Sequence, residues 1–574
     1  MTERSTVHSV TYDLLRTLKL TTVFGNPGST EQTFLQDFPE DFTYVLALQE
    51  ASVIAMADAF AQVTRRPALV NVHSSAGVGN AVGNLVAAYH GNTPLIITSG
   101  QQHRELVIGE PYLGNREATT LPKPWVKWSY EPARAEDVPE AFMRAYAEAL
   151  QPPAGPVYLS IPMDDWKRPL SGFTRARTVS DRVVPDARRL RLFADRISAS
   201  RRPALVFGPE VDRAGGWDAA VALAEKLRAS VYGAPLLDRA SFPEDHSLFR
   251  GPLGMSVKTI SDRLAGHDLV VVIGAEAFRY YPYVPGDYLP DGTELLQITG
   301  NPGVAAAARV GDSLLGDPAT AIELLLDMVA EGSARTAPEP MARPVSWPTT
   351  PTPLPRTGSS ARHAMPSSGW TGCSSASAAR RRVRRTPSTT TCGAPPSSRS
   401  SSVRCGCPAP SRRSWTGEGS SASLPRELPQ TPSSPLTPPE VYAALSRVRP
   451  PDAVIVNEST STMAQQVEWL PTVRTGSFFA TASGGIGWAT PAAVGVALGD
   501  RERGVDRPVV GLIGDGSFQY SVQAIWTAAR HNLPIVYVVM RNQEYSIRAP
   551  RRRCRARAGR VPERPASPPA PRTT

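Results

Sequence analysis

Apolar runs and amphipathic stretches alternate along most of this 574-residue chain. Within residues 1–175, "VHSVTYDLLRTLKL" has the spacing of an amphipathic helix, whereas "ALVNVHSSAG" and "TPLIITSG" are apolar runs that end in small residues. Apolar runs that alternate with helices are typical of parallel strands covered by helices on both faces. The pattern therefore predicts a doubly wound α/β domain over residues 1–175.

The same alternation returns twice along the chain. Over residues 185–335, "RPALVFGPEV" and "HDLVVVIGAEAF" are predicted strands and "WDAAVALAEKLRA" is a predicted helix. Over residues 433–548, "AVIVNEST", "RPVVGLIGDGS" and "LPIVYVVM" are predicted buried strands. Helices between such strands imply parallel sheets. We therefore predict an α/β protein with three doubly wound parallel-sheet domains.

Two segments, 336–432 and 549–574, have no hydrophobic period. They are rich in Arg, Pro and Ser, a composition that cannot bury enough apolar surface to fold alone. Such composition is what a GC-rich gene gives when it is read out of frame, so we interpret both segments as frameshift products and the last domain as truncated. A genuine disordered linker and basic tail is the alternative. These two segments also hold all five cysteines: Cys373, Cys392, Cys405, Cys407 and Cys554.

The formal net charge of +10 would suggest a nucleic-acid partner. The excess of arginine lies in the two aperiodic segments, however, and the rest of the chain is mildly acidic. We therefore predict no nucleic-acid partner. The chain has no run of eighteen apolar residues and no apolar leader, which predicts a cytoplasmic protein without a membrane partner.

A candidate ligand site lies in "IGDGS", residues 513–517. Asp515 lies between Gly514 and Gly516, directly after a predicted strand. The two glycines let the backbone approach a ligand closely, and the helix that follows offers N–H groups that suit a phosphate. Asn542 follows the next predicted strand. Carboxylate and amide oxygens suit Mg²⁺. A lone Gly-Asp-Gly is more often only a tight turn, but Asn542 favours a site.

Gly-Asp-Gly-Ser followed by Asn542 resembles the thiamine-diphosphate motif of pyruvate-decarboxylase-like enzymes. The stretches "TVFGNPGSTEQTFLQDFPEDFTYVLALQEASV", "LPKPWVKWSYEPA", "GPVYLSIPMDDW", "VNESTSTMAQ" and "ASGGIGWATPAAVGV" resemble benzoylformate decarboxylases. The resemblance covers residues 1–335 and 436–548. It implies thiamine diphosphate, Mg²⁺ and non-oxidative decarboxylation of an aromatic 2-oxo acid, benzoylformate to benzaldehyde and CO₂. Another thiamine-diphosphate decarboxylase, an acetolactate-synthase-like ligase and an inactive truncated chain remain alternatives.

The resemblance also implies catalytic residues. It makes Glu50 the carboxylate that promotes ionisation of the cofactor, His73 a proton carrier and Ser29 a contact of the substrate carboxylate. Leu113 would line the apolar substrate wall. Tyr281 stands where these decarboxylases have a second histidine, and a phenol is a poorer proton relay than an imidazole near neutral pH. Without the resemblance, Glu50 would be interpreted as a helix cap or a surface charge, His73 as a structural histidine and Ser29 as a turn serine that caps a helix.

The remaining implied residues bind the cofactor and its metal. Asp515, Asn542 and the backbone carbonyl of Glu544 would hold Mg²⁺, although this chain has "RNQE" where the family more often has Asn-Asn-Gly-Thr. The resemblance implies a homodimer or homotetramer in which Glu50 of one subunit serves cofactor bound to another. The implied cofactor contacts are Asn26, Thr460, Ser461, Gly484, Ile486, Gly514, Gly516, Ser517 and Tyr545.

Overall fold

The computed structural model describes residues 5–278, 280–331 and 433–542. The segments predicted to be frameshift products, 336–432 and 549–574, lie outside the described residues. Within the described ranges, no helix combines the length and the apolar character needed to cross a membrane.

The first domain is a parallel sheet of six strands in the order β2-β1-β3-β4-β6-β5. Helices lie between the strands along the chain, as the alternating apolar pattern predicted. The strands are β1 (Thr22–Asn26), β2 (Thr43–Leu46), β3 (Ala68–Val72), β4 (Leu95–Gln101), β5 (Trp128–Tyr130) and β6 (Val157–Pro162). The helices are α1 (Val7–Thr17), α2 (Gln32–Leu35), α3 (Glu50–Thr64), α4 (Ser74–His90), α5 (Arg104–Val107) and α6 (Val138–Leu150).

The second domain is another parallel sheet of six strands, in the order β12-β11-β10-β7-β8-β9. Its central strands are buried on both faces. The strands are β7 (Pro203–Phe207), β8 (Ser230–Gly233), β9 (Phe249–Pro252), β10 (Leu269–Ile273), β11 (Glu294–Thr299) and β12 (Asp312–Leu315). The helices are α7 (Ala187–Ala199), α8 (Pro209–Ala214), α9 (Trp217–Leu227), α10 (Val257–Leu264), α11 (Pro302–Ala307) and α12 (Pro318–Met328).

The third domain has four parallel strands in the order β14-β13-β15-β16. With it, the described residues form three parallel-sheet α/β domains, which confirms the predicted fold class. The strands are β13 (Val454–Glu458), β14 (Phe478–Ala480), β15 (Val509–Gly514) and β16 (Ile535–Met540). The helices are α13 (Pro438–Val448), α14 (Met463–Trp469), α15 (Ala489–Glu502), α16 (Asp515–Tyr520) and α17 (Ala524–Arg530).

Strand β16 differs from its prediction as a buried strand. It pairs with β15 on one side and is the edge of the third sheet within the described residues. Val536 is 57% exposed and Val539 is 38% exposed, so the apolar run does not mark burial here. Periodicity reports a strand but cannot say which strand lies at the edge of the sheet.

The first and third domains meet through α3 and α15. The two helices approach closely because Gly495 faces the backbone of Met56: a Cβ built on Gly495 would lie 2.0 Å from the Met56 carbonyl oxygen. At the start of α15, the buried Trp488 donates from Nε1 to Oδ2 of Asp58 at 2.8 Å. Both helices are buried along most of their length, so this contact fixes one domain against the other.

Candidate active site

Three of the predicted residues lie at the carboxyl edge of the first sheet. Strand β1 ends at Asn26, which is in register with Val72 at the end of β3. His73 follows β3 directly, and Glu50 opens α3. Strand β1 lies between β2 and β3 in the sheet. The chain therefore runs from β1 to β2 on one side, and from β3 to β4 on the other side. Crevices of this kind are where open α/β sheets bind ligands.

The Glu50 carboxylate is buried and held by two amides. Its Oε1 accepts from Nδ2 of Asn26 at 3.0 Å, and its Oε2 accepts from Nδ2 of Asn80 at 3.0 Å. Glu50 is only 6% exposed. A carboxylate has about four acceptor positions, so these two bonds leave capacity for a further donor such as a ring nitrogen of a cofactor. Asn80, which lies on α4, was missed by the sequence reasoning.

The His73 imidazole is oriented by a buried carboxylate. Its Nδ1 lies 2.9 Å from Oε2 of Glu31 and 3.2 Å from the Thr30 hydroxyl. Glu31 is 1% exposed and also accepts from the backbone N–H groups of Gly28 and Gly100. A carboxylate accepts only, so the neutral imidazole carries its proton on Nδ1 and leaves Nε2 as an acceptor. Glu31 was not predicted, because its sequence context does not reveal a partner 42 residues away.

Glu50 and His73 border the same turn of α4. A Cβ built on Gly77 would lie 3.2 Å from Oε1 of Glu50 and 3.2 Å from Cβ of His73. The structure therefore brings together a buried carboxylate and a histidine that the sequence placed 23 positions apart. The small residue at 77 permits this approach.

Ser29 lies close in sequence to Asn26, a member of this cluster. It opens a short 3-10 helix, Ser29–Glu31, whose N-cap is Gly28. The alternative role of Ser29 as a helix cap is therefore wrong, since the capping position belongs to its neighbour. The Ser29 side chain is exposed, and its hydroxyl makes no hydrogen bond within the described ranges.

The loop that carries Leu113 is attached to the start of α4. The Ser75 hydroxyl donates to the Gly114 carbonyl at 3.2 Å and to Oδ1 of Asn115 at 2.8 Å. Ser75 lies two residues after His73, so the Leu113 loop is held beside the histidine. Leu113 itself is half-buried.

Tyr281 is not part of this cluster. It follows β10 in the second domain, its side chain is 63% exposed, and its backbone N–H donates to the Met255 carbonyl. No hydrogen bond joins Tyr281 to His73 or Glu50 in the part of the chain that the structure describes.

A second group of predicted residues lies at the carboxyl edge of the third sheet. Register pairs Glu458 with Ile513 and Gly514 with Met540, so β13, β15 and β16 end side by side. The residues that follow these ends are Thr460 and Ser461, Asp515 and Ser517, and Asn542, which together offer hydroxyl, carboxylate and amide oxygens. Two predicted residues, Glu544 and Tyr545, lie outside the described residues.

This edge has room for a diphosphate. A Cβ built on Gly516 would meet no atom within 4 Å, and one on Gly514 would meet its nearest atom, the Glu458 carbonyl oxygen, at 3.8 Å. No group of three or more His, Cys, Asp or Glu side chains suited to a metal occurs among the described residues. Mg²⁺ at Asp515 would therefore need phosphate oxygens to complete its coordination, and the residues present fit a magnesium diphosphate.

The predicted contacts Gly484 and Ile486 lie in the loop between β14 and α15. Gly484 has a φ of 70°, and Ile486 is half-buried. The loop ends at Gly487, whose N–H donates to Oε1 of Glu458 at 2.6 Å. Burial raises the pKa of Glu458 to about 7. The backbone hydrogen bonds that the carboxylate accepts lower this pKa, but burial has the larger effect.

Two hydrogen bonds join the third domain to the carboxyl edge of the first sheet: Nε2 of Gln523 donates to the Ser52 hydroxyl at 3.2 Å, and the Thr527 hydroxyl donates to the Leu46 carbonyl at 3.0 Å. Neither bond involves a predicted site residue. Within the described residues, the hydrogen-bond partners of Glu50 are amides of its own domain, Asn26 and Asn80. Within the described ranges, no hydrogen bond connects Glu50 with Gly484, Ile486 or Ser517. The predicted site residues in these two places thus form two groups, one at the edge of the first sheet and one at the edge of the third.

Family models for thiamine pyrophosphate enzymes match all three domains. The N-terminal TPP-binding domain matches residues 5–115, the central domain matches 190–325, and the C-terminal TPP-binding domain matches 459–553. The Glu50 and His73 cluster falls in the first match and the Asp515 edge falls in the last. The cofactor expected from the sequence is thus thiamine diphosphate.

Relatives and solved structures agree with this assignment. The chain is 41% identical over 548 residues to a benzoylformate decarboxylase from Pseudomonas aeruginosa, covering 94% of this chain and 86% of the relative. The structure of benzoylformate decarboxylase from Polynucleobacter necessarius is 41% identical with a TM-score of 0.79, covering 97% of this chain and 89% of that one. A thiamine diphosphate-dependent 4-hydroxybenzoylformate decarboxylase from Rhodococcus jostii RHA1 is 35% identical with a TM-score of 0.76, covering 97% and 90%. The chain therefore belongs to the benzoylformate decarboxylase family of thiamine-diphosphate-dependent enzymes.

Proposed function

We propose that this chain catalyses the non-oxidative decarboxylation of an aromatic 2-oxo acid, benzoylformate to benzaldehyde and CO₂, with thiamine diphosphate and Mg²⁺. The observation that carries the proposal is the cluster at Gly77, where a buried, amide-held Glu50 adjoins a carboxylate-oriented His73. The names of the similar proteins support the choice of benzoylformate as substrate.

Thiamine diphosphate, when bound, supplies the electron sink that allows the bond between the keto carbon and the carboxylate to break. Glu50 would hold the pyrimidine ring of the cofactor by accepting a hydrogen bond from it, and would thereby promote ionisation of the cofactor. Asn26 and Asn80 keep the Glu50 carboxylate in place while it does so.

His73 carries protons between the reacting carbon atom of the substrate and solvent. Its Nδ1 is engaged by Glu31, so Nε2 is the atom that accepts and returns a proton. The exposed Ser29 hydroxyl donates to the substrate carboxylate, and Leu113 forms part of the apolar wall that accepts the aromatic ring. Tyr281, where the family resemblance implies a second histidine, would offer a weaker proton donor from the second domain.

The third domain holds the charged end of the cofactor. Asp515, Asn542 and the Glu544 carbonyl would hold Mg²⁺ together with the diphosphate. The Gly484 carbonyl would accept a hydrogen bond from the cofactor amino group, and Ile486 would pack against the cofactor. Thr460, Ser461, Gly514, Gly516 and Ser517 would contact the diphosphate. Tyr545, a further predicted cofactor contact, lies outside the described residues.

The active unit is at least a homodimer, in which Glu50 of one copy completes the site formed by the third domain of another. The absence of a hydrogen bond between Glu50 and the described residues of the third-sheet site supports this arrangement. A homotetramer in the cytoplasm would satisfy the same requirement.

A substrate panel tests the reaction. Benzoylformate, pyruvate and indolepyruvate are supplied to the purified chain with thiamine diphosphate and Mg²⁺, and kcat/KM is measured for release of each aldehyde. The proposal predicts the highest kcat/KM with benzoylformate. Preference for pyruvate with formation of acetolactate would favour the ligase alternative, and retention of no cofactor through gel filtration would favour the inactive chain.

A further inference from the structure

The loop that carries Gly484 and Ile486 lies between β14 and α15 and has little regular structure of its own. Gly484 and Gly487 both adopt positive φ, at 70° and 95°. Inside the loop, the Gly485 N–H donates to the Ser483 hydroxyl at 3.1 Å. That local bond does not attach the loop to the sheet, so another contact must fix the position of Ile486.

The contact that fixes the loop is the side chain of Glu458. Its Oε1 accepts from the N–H of Gly487 at 2.6 Å and of Trp488 at 3.4 Å, and its Oε2 accepts from Ala489 at 2.8 Å. Glu458 is 2% exposed, so these bonds form away from water. The first of them lies one residue after Ile486.

The backbone of Glu458 belongs to the opposite side of the same site. It is the last residue of β13, between β14 and β15, and the chain continues from it to Ser459 and Thr460. The Ser459 N–H donates to Oδ1 of Asn457 at 2.7 Å, which holds this turn. Glu458 therefore connects two segments. One carries the hydroxyls of Thr460 and Ser461, the proposed diphosphate contacts, and the other is the loop that carries Ile486, the proposed contact of the rest of the cofactor.

We propose that Glu458 is a positioning residue that sets the Ile486 loop against the bound thiamine diphosphate. This inference rests on the proposed function, because it needs the cofactor at the third-sheet edge. Both carboxylate oxygens accept, and all their partners are donors. Glutamine has one accepting oxygen, so its NH₂ group would face a backbone N–H and release one end of the contact.

The rival explanation is that Glu458 only caps helix α15. Capping by a buried carboxylate stabilises a helix whatever ligand the protein binds. Asp317 offers a matched control, since it caps α12 in the second domain by accepting from the Thr320 N–H at 2.9 Å. Asp317→Asn keeps an accepting oxygen for the Thr320 N–H and removes only the charge at the start of the helix, so the melting temperature should fall slightly and cofactor affinity should be unchanged.

The experiment measures Kd for thiamine diphosphate and for inorganic pyrophosphate, each with Mg²⁺, on full-length wild type, Glu458→Gln and Asp317→Asn. For Glu458→Gln we expect a rise of about ten-fold or more in Kd for thiamine diphosphate and less than two-fold for pyrophosphate, since the Ile486 loop touches only the rest of the cofactor. Equal weakening of both ligands, or no weakening of either, would overturn the inference. If wild type binds neither ligand, the proposed function fails first.

A double-mutant cycle with Ile486→Ala gives a second decision. If Glu458 acts through Ile486, adding Glu458→Gln to Ile486→Ala should raise Kd for thiamine diphosphate by less than two-fold. Independent, multiplicative effects would contradict this. Should Glu458→Gln fail to fold, Glu458→Asp, which keeps the charge and shortens the reach, is judged by the same Kd criteria.

Discussion

Single atoms decide whether the first-sheet cluster can work. Gly28 lies so close to His73 that a Cβ built on it would be 2.1 Å from Nδ1. Glu31 receives bonds from both residues, so the glycine, the carboxylate and the imidazole form one packed unit. The sequence located His73 by its resemblance, but it could not locate Glu31 or Asn80. Their roles depend on contacts that only folding creates.

Gly28→Ala should displace the His73 ring from Glu31. A shift of this size in a proton carrier typically costs about 100-fold in turnover. We expect kcat for benzoylformate to fall by about that factor, with Kd for thiamine diphosphate unchanged. Gly79→Ala is the matched control, because a Cβ there meets no atom within 4 Å. A Gly28→Ala enzyme with wild-type kcat would show that His73 does not limit the reaction.

The raised pKa of Glu458 leads us to predict that the stability of the folded protein depends on pH. Burial raises its folded pKa from 4.5 to about 7. The folded protein therefore binds this proton more tightly than the unfolded chain, and the resulting stabilisation is complete below pH 4.5 and is lost as the pH rises through about 7. The melting temperature of wild type minus that of Glu458→Gln should fall over this window. A difference that stays constant from pH 4.5 to 8 would contradict the assignment.

At the scale of elements, small residues and edges matter more than hydrophobic periodicity. The periodicity predicted the parallel strands and the helices between them because it reports burial of one side or both. It could not show that α3 and α15 pack at a glycine, since that contact joins residues more than four hundred positions apart. Nor could it show that β16 is an edge strand, because an edge is defined by what pairs with it.

Gly495→Ala should force α3 and α15 apart. The new methyl group would lie 2.0 Å from the Met56 carbonyl oxygen, which cannot rotate away as a side chain could. Overpacking of this kind costs about 1–3 kcal/mol, so the melting temperature should drop. Gly83→Ala, which lies on α4 with no neighbour within 4 Å, should be neutral or stabilise by up to about 1 kcal/mol. Equal melting temperatures for the two variants would refute the close packing.

Strand β16 should make the protein prone to association. Within the described residues, its exposed Val536 lies on the edge strand of the third sheet, and edge strands can pair with another chain. Val536→Lys should reduce concentration-dependent light scattering, because an edge lysine opposes pairing. Val473→Lys serves as the control, since Val473 is 38% exposed but lies outside the strands. Scattering that is equal in both variants would remove β16 as the cause.

At the scale of the whole molecule, the predicted residues at the first-sheet and third-sheet edges form two groups on separate sheets. The Gly-Asp-Gly-Ser stretch indicated the diphosphate edge from sequence alone, since Asp515 and Asn542 follow consecutive strands of a parallel sheet. The structure adds that these strands are neighbours, so Asp515 and Asn542 follow adjacent strand ends. The placement of Tyr281 outside the first-sheet cluster could not be predicted, since it depends on how the second domain presents its loop.

The most direct test of this account is benzaldehyde release from benzoylformate by the purified chain. We predict release only when thiamine diphosphate and Mg²⁺ are both present, and a fall in kcat of at least about 100-fold in Glu50→Gln, which removes the charge that favours cofactor ionisation. Cofactor-loaded wild type that forms no benzaldehyde, or Glu50→Gln that retains the wild-type rate, would contradict the account.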